Sequence, residues 1–567
     1  MRKLKALSMV VLIALLASVA LSGCGGGKAA QQEMPKVVMV ADDTERAKQL
    51  CQALQGMFLD NLGIQVEIQS VDFKTRLEKM RNKDFSMVFA GWGADYDDPA
   101  TFLDLWVTGG DFNDCYWSNP KYDELINKAK ASSDQKERMQ ALAEAEKILL
   151  QELPIAPVYW RAWPFVDKPW VKGIVRKAVG AEFDFKWAYT EGRPGKENEL
   201  YWNLGEEPPS LDAQKSTDVV SFDILNAVLE GLVRPDPNGE IKKGSGLALD
   251  WTVSPDGKVY TFTLRDAKWS DGKPITAEDF EYSWKRALDP RTGSQYAYQL
   301  YYLKGGQALN TIELPDPNKD KAGYDQAVKK IEEAMANVGV KAKDAKTLEV
   351  TLEQPTPFFL WLTSFPTYLP QPKHLVEKYG DKYASEANLM AASGPFMVQS
   401  WKHKSEITLV KNPNYWDAAT VKLTKIHMDM IKDINTPLNM FEKNELDFLY
   451  RVPGQFIDQY KDKGLKTISE ATCWYLEFNC QDPLFKNAKI RQAFALAVDR
   501  ESFVKNVTKD GSWPATAYTP PVIHSGPNES FQKTYVKDVL PVKADPEKAK
   551  KLLEEGLKEL GYKMPKA

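Results

Sequence analysis

From Met34 to Trp160 the sequence switches back and forth between two hydrophobic periods, which leaves a chain few folds to choose from. Val37-Val38-Met39-Val40 is a short apolar strand, and Thr44 to Leu62 repeats apolar side chains at helical spacing until Gly63 stops it. Ile64 to Gln69 alternates with period two, Phe73 to about Arg81 returns to helical spacing, and Phe85 to Ala90 is again a strand. Ser133 to Glu152 reads as an amphipathic helix and Ile155 to Trp160 as the next strand. This α/β texture predicts mixed sheets covered by helices. Of 567 residues, 43% are hydrophobic and 27% charged, too apolar for a disordered chain and too polar for a polytopic membrane protein. Lys and Arg number 74 against 78 Asp and Glu, so no strong field steers the chain to nucleic acid. Sixteen Trp and 23 Tyr beside four His point to binding surfaces more than to acid–base chemistry.

A polar stretch punctuated by Gly and Pro, residues 191–198, reads as a linker. After it the chain starts afresh with Glu199-Leu200-Tyr201-Trp202-Asn203-Leu204. Val259 to Leu264 is an alternating strand, and Thr276 opens an aromatic-rich helix through Trp284. Pro355 to Pro372, with five prolines, predicts an irregular, closely packed connection. The last helix has Asp545 as its cap, Pro546 at its first position and Gly561 as its stop. The sequence ends where a strand is due, and the Met34-Pro35-Lys36 that precedes the first strand recurs as Met564-Pro565-Lys566.

The first 24 residues read as an export signal: Arg2, Lys3 and Lys5, then the apolar run Ala6 to Leu21. Leu21-Ser22-Gly23-Cys24 looks like a bacterial lipobox, in which Cys24 takes the lipid; an ordinary export signal or an inserted anchor is the alternative. Residues 25–33 then form a flexible tether. Cys51, Cys115, Cys473 and Cys480 contain no Cys-x-x-Cys pair, and the histidines are scattered, so neither a metal nor any other cofactor is expected. Export permits disulfides, and four cysteines allow three pairings, which stay open.

Taken together, several motifs are specific. Tyr260 to Phe280, YTFTLRDAKWSDGKPITAEDF, resembles the signature of the extracellular solute-binding proteins that deliver oligopeptides and dipeptides to ABC importers. Glu199 to Asp212 is similar to that family's mature start, and Asn412 to Trp416 and Phe485 to Phe494 to its later landmarks. Gly91-Trp92-Gly93-Ala94-Asp95-Tyr96-Asp97-Asp98-Pro99 is similar to its ligand loop, which in the family follows those landmarks. The order here resembles a circular permutant; a sequence assembled out of order is the rival explanation. The resemblance implies a two-lobed, type II periplasmic-binding-protein-like α/β fold with an additional smaller domain, circularly permuted, its lobes closing about a hinge. Residues 34–155 and 476–567 would form one lobe. Residues 156–190, 199–236 and 356–475 would form the other, and 237–355 the added domain. It further implies a monomeric, lipid-anchored protein on the outer face of the cytoplasmic membrane, with an oligopeptide ligand and ABC importer subunits as partners.

The resemblance also assigns roles. Asp95 would hold the peptide's ammonium through charge-assisted hydrogen bonds; otherwise it merely shapes a turn, the role expected of Asp97 and Asp98. Gly91, Trp92 and Gly93 would lend backbone groups to the peptide as in strand addition, or else serve as turn formers and core. Tyr296 would touch the ligand, and Phe73 would line a side-chain pocket or be buried in the first turn of its helix. Where relatives offer Arg or His to the peptide carboxylate, this chain has Ala47, Met80 and Phe89. Gly93 stands where some relatives carry a cysteine paired with the match of Cys473. Family members also bind metal chelates, haem, sugars or signalling peptides. A secreted hydrolase is the competing class, although Gly-x-Ser-x-Gly and His-Glu-x-x-His are both absent from the sequence. A scaffold that has lost its ligand is the third.

Overall fold

The computed structural model describes residues 32–132, 134–177, 179–356, 358–526 and 529–565. The export segment, Cys24 and nearly all of the expected tether lie outside them. Among the described residues no helix is long and apolar enough to cross a membrane, and no three His, Cys, Asp or Glu are placed to hold a metal ion.

The largest sheet has seven strands: β1 (Val37–Asp42), β2 (Val66–Val71), β3 (Met87–Gly93), β4 (Ile155–Asp167), β5 (Phe448–Leu449), β6 (Lys466–Phe478) and β7 (Trp513–Pro514). Their order is β5-β4-β6-β3-β1-β2, with β7 beside β4. β1 runs parallel to β2 and β3, whereas β6, from late in the chain, is wedged antiparallel between β3 and β4. Early and late segments thus share one sheet. Its helical cover is likewise mixed: α1 (Glu45–Leu62), α2 (Phe73–Arg81), α3 (Gln135–Glu152), α4 (Ala488–Ala497) and α5 (Pro546–Leu560).

Local chemistry explains where these helices start and stop. The Thr44 hydroxyl accepts from the Ala47 N–H to open α1, and Gly63 closes it at φ 72°, a left-handed conformation that glycine adopts without penalty. Asp545 caps α5, with Pro546 in the first turn where no donor is needed. Phe58 of α1 meets Phe494 of α4 at 4.9 Å, and Leu553 and Leu557 of α5 join the same core. At its edge Gln32 and Tyr562 form a parallel bridge, in which the Gln32 N–H donates to Gly561 C=O and the Lys563 N–H to Gln32 C=O.

A second large core gathers Trp163, Phe183, Trp202, Trp269, Trp284 and Tyr368. It supports two four-stranded sheets. One is antiparallel and lies wholly between Ala248 and Thr351. The other joins Phe396–Lys402, Glu406–Lys411, Lys425–Asp429 and, in parallel, Glu199–Asn203. Among the described residues of 355–372 there is one short helix, Phe359–Leu362, and a single 3₁₀ turn, with Phe359, Phe365 and Tyr368 buried. The stretch 191–198 is folded back on itself: the Asn198 N–H donates to Thr190 Oγ1 at 2.7 Å. The Arg193 guanidinium lies over Tyr201 and pairs with the buried Asp447.

β4 and β6 are each 13 residues long because both pass from one core into the other. Ile155 and Val158 belong to the first core, Trp163 and Phe165 to the second. The β4–β6 register shifts between Ser469 and Cys473, at the crossing. Two cavities lie along this passage.

Candidate functional site

Two adjoining cavities fill the cleft between the cores. The first, of about 250 Å³, is lined by Phe73, Gly91, Trp92, Gly93, Asp95 and Tyr296, so the six ligand-site residues read from the sequence all meet there. The second, of about 330 Å³, shares Arg161, Glu206, Arg451 and Trp474 with the first.

Asp95 follows directly from the end of β3. Its backbone N–H donates to Thr101 Oγ1 at 2.9 Å, and the Ala94 C=O accepts from the Gly180 N–H at 2.8 Å, which anchors the loop from both sides. Its carboxylate reaches across the cleft, accepting from the Tyr296 hydroxyl at 3.0 Å and from Gln299 Nε2 at 3.1 Å. Burial pushes the Asp95 pKa well up, and those two hydrogen bonds pull it only part of the way back. A carboxylate has about four acceptor sites, so Asp95 retains capacity for a further cationic donor. The two neighbouring acids turn elsewhere. Asp97 pairs with His524 at 2.7 Å, while Asp98 accepts from the Ala100 N–H and forms a bidentate pair with Arg138 at 2.6 and 2.7 Å.

Ladder parity decides which backbone groups face the cleft. In an antiparallel pair, alternate residues direct both polar groups to the partner strand. The Ala94 N–H donates to Ala471 C=O on the β6 side, so Trp92 and Ala90 face β6 as well. Gly91 and Gly93 therefore direct theirs to the opposite edge, where pairing with β1 runs out after Val88. Gly91 must also lack a side chain: a Cβ would sit 2.8 Å from the Trp474 ring, which lies over it from the paired position on β6.

Here the structure corrects one expectation. Trp92 offers no main-chain group to the cleft, because its backbone is committed to Cys473 of β6. It contributes its ring, which packs edge-on to Phe112 at 4.9 Å, and an indole N–H. That N–H and the one on Trp474 find no acceptor among the described residues. Tyr296 is 2% exposed and spends its hydroxyl on Asp95, so it positions the acid as well as lining the cavity. Phe73 opens α2 and lines the first cavity beneath the Arg76 guanidinium.

Four charged groups that sequence reading missed stand at the crossing. Arg161 of β4 pairs with Glu470 of β6 and reaches Glu182 at 3.3 Å, while Arg451 holds Glu182 at 2.6 Å and Glu470 at 3.7 Å. Burial raises the Glu470 pKa and the two arginines oppose that rise. Gln299 was missed too. These groups are dispersed over hundreds of residues, and no spacing in the sequence links them. Met80 lines the first cavity, Ala47 the second, and Phe89 is buried against Trp474. The four described cysteines beyond the export segment are free thiols.

Comparison with known proteins agrees with this architecture. The sequence matches the family described as bacterial extracellular solute-binding proteins, family 5 Middle, over residues 14–114 and 244–564. It is 38% identical over 414 residues to the dipeptide-binding protein DppE of Bacillus subtilis, covering 70% of this chain and 71% of that one. It is also 38% identical over 409 residues to the oligopeptide-binding protein OppA of the same organism, covering 71% of this chain and 70% of that one. Among solved structures, the substrate-binding domain of an oligopeptide ABC transporter from Bacillus anthracis aligns with a TM-score of 0.55 and 33% identity, covering 65% of this chain and 68% of that one. Listeria monocytogenes OppA bound to peptide aligns at 0.54 and 30%, covering 66% and 70%. The fold is thus of the type II periplasmic-binding-protein kind, and the chain belongs to the bacterial extracellular solute-binding proteins of family 5.

Proposed function

We propose that this protein captures oligopeptides between its two lobes and hands them to an ABC importer, making and breaking no covalent bond. The observation that carries this reading is the Asp95 carboxylate, reaching across the cleft beside the unpaired edge formed by Gly91 and Gly93. An acid there suits the ammonium of a peptide, and an open strand edge suits the backbone that every peptide shares. The indole N–H groups of Trp92 and Trp474 supply further donors to that backbone. Relatives named for dipeptides and oligopeptides favour peptides over the other solutes bound on this fold.

The working protein is, on this reading, a monomer held on the outer face of the membrane through lipidated Cys24. One lobe comprises 34–155 and 476–567, extended along β4 to Trp160 and back along β6 to Ala471, which share its core; the other comprises the rest of 156–190 and 356–475 with 199–236, and 237–355 is added. The chain is a circular permutant of its relatives. Three observations favour that order. β6 lies between β3 and β4, α5 packs with α1, and Lys563 is hydrogen-bonded to Gln32. A comparison that preserves chain order can match only one block of a permutant at a time. Residues 199–567 amount to about two thirds of the chain, close to the 65% covered by the structural matches.

The test is calorimetric titration with a peptide and with its N-acetylated form. Truncating one partner of a desolvated charge pair costs roughly 2–5 kcal/mol. Asp95→Ala and acetylation are therefore each expected to weaken binding by about thirtyfold or more, while Asp97→Ala leaves it within a few-fold. Equal affinity for acetylated and free peptide removes Asp95 from this role. Cleavage of the peptide during incubation returns the hydrolase reading.

A further inference from the structure

Cys115 and Cys480 come from opposite parts of the chain and meet at one corner of the large sheet. Cys480 lies two residues beyond the end of β6, and its N–H donates to the Cys115 C=O at 2.8 Å. That bond puts the two backbones in direct contact, as a disulfide needs, since it joins Cα atoms about 4.4–6.8 Å apart. As free thiols, Cys115 Sγ donates to Asn113 Oδ1 at 3.1 Å and Cys480 Sγ to the Phe478 C=O at 3.7 Å. The proximity of Cys115 lowers the pKa of Cys480, whereas burial, with Cys480 beside it, pushes Cys115 well up. Cys115 is fully buried, Cys480 half-buried. The other two described cysteines are engaged elsewhere, Cys51 inside α1 and Cys473 opposite Trp92 in the middle of β6.

We infer that Cys115 and Cys480 form a disulfide once the protein is outside the cytoplasm, joining the segment before residue 120 to the end of β6. The location rests on the extracytoplasmic reading; the pairing rests on the geometry alone. The oxidant is a reactive disulfide on a small molecule or another protein. The more exposed and more acidic Cys480 attacks it as a thiolate, breaking its S–S bond and releasing one of its sulfurs as a thiol. Cys115 then gives up its proton and attacks the Cys480 sulfur, and the second oxidant sulfur leaves as a thiol. Two cysteine thiols are oxidised to one disulfide, and one oxidant disulfide is reduced to two thiols. The link pins the turn that carries Phe112, whose ring packs on Trp92 and on Tyr296, both at 4.9 Å, at the first cavity.

Peptide mapping of the exported full-length protein, alkylated before unfolding and digested without reductant, tests this. The expected result is a single crosslinked product joining the peptides that contain Cys115 and Cys480, split by reductant with the gain of two hydrogens. Protein kept in a reducing cytosol should carry both thiols free and close the same link on addition of oxidised glutathione. Closure in glutathione but not after export counts against the extracytoplasmic reading and supports the pair. As a second readout, reduction should lower the melting temperature of the wild type by several degrees and leave that of a Cys115→Ser, Cys480→Ser double variant unchanged. Free thiols at both positions after export and after glutathione, or a link from either to Cys51 or Cys473, overturns the inference.

Discussion

The Asp95 carboxylate ties two distant parts of the chain together across the cleft and, on the proposed reading, also meets the ligand. Its partners Tyr296 and Gln299 come from the segment 237–355, so the carboxylate ties that segment to the loop after β3 across the cleft. Burial raises its pKa well above the usual aspartate range of about 4. An ammonium beside it favours the ionised form, so the complex has the lower pKa and binding releases a proton. Affinity should therefore climb as pH rises from about 4 towards the raised pKa, and fall above about 8 as the peptide amine loses its charge. Titrations in buffers of different ionisation enthalpy would reveal the released proton; an affinity flat from pH 4 to 7 would contradict the shift. The motif made Asp95, and the contrast with Asp97 and Asp98, legible in the sequence. Gln299 was not legible, because its tie to Asp95 joins positions 204 residues apart.

At the scale of elements, periodicity and end signals located the helices closely. Phe73–Arg81 and Glu45–Leu62 lie where spacing and caps put them, because a helix is bounded by bonds made within one turn. The strand expected at Ile155–Trp160 runs on to Asp167, since it continues into a second core that local pattern does not reveal. Which of residues 91–93 face the cleft was equally hidden, being set by pairing with β6. Gly91→Ala should displace Trp474 and narrow the cleft edge, weakening peptide binding by roughly tenfold or more while the protein stays folded. Calorimetry beside circular dichroism would separate the two effects. Arg161→Ala leaves the buried Glu470 carboxylate beside Glu182 with only Arg451, at 3.7 Å, as a cationic partner, and breaking a buried pair costs up to roughly 3–5 kcal/mol. Denaturant unfolding should register that loss, whereas Arg161→Lys, which keeps a charge, should recover part of it.

At the scale of the whole molecule, the large sheet is built from both parts of the chain, and the lobes share β4 and β6. A rearranged gene that starts at Glu199, joins the segment ending at Lys563 to Met34 and ends near Thr190 should fold to the same structure and bind peptide within a few-fold of the original. The hydrogen bonds from Gln32 to Gly561 and from Lys563 to Gln32 put that junction within easy reach. Loss of binding in a folded rearranged protein would show that the order of segments matters beyond connectivity. The amino-acid sequence alone determined the α/β texture, the helix ends, the family motifs and the acid at position 95, because each depends on residues within a turn or a short motif. Only the tertiary structure decided that Gly91 and Gly93 offer their backbone while Trp92 does not, that Glu182, Glu470, Arg161 and Arg451 meet at the crossing, and that Cys115 lies beside Cys480. Those outcomes depend on which strands pair across hundreds of residues, a choice made by burying two cores together and not by any local preference.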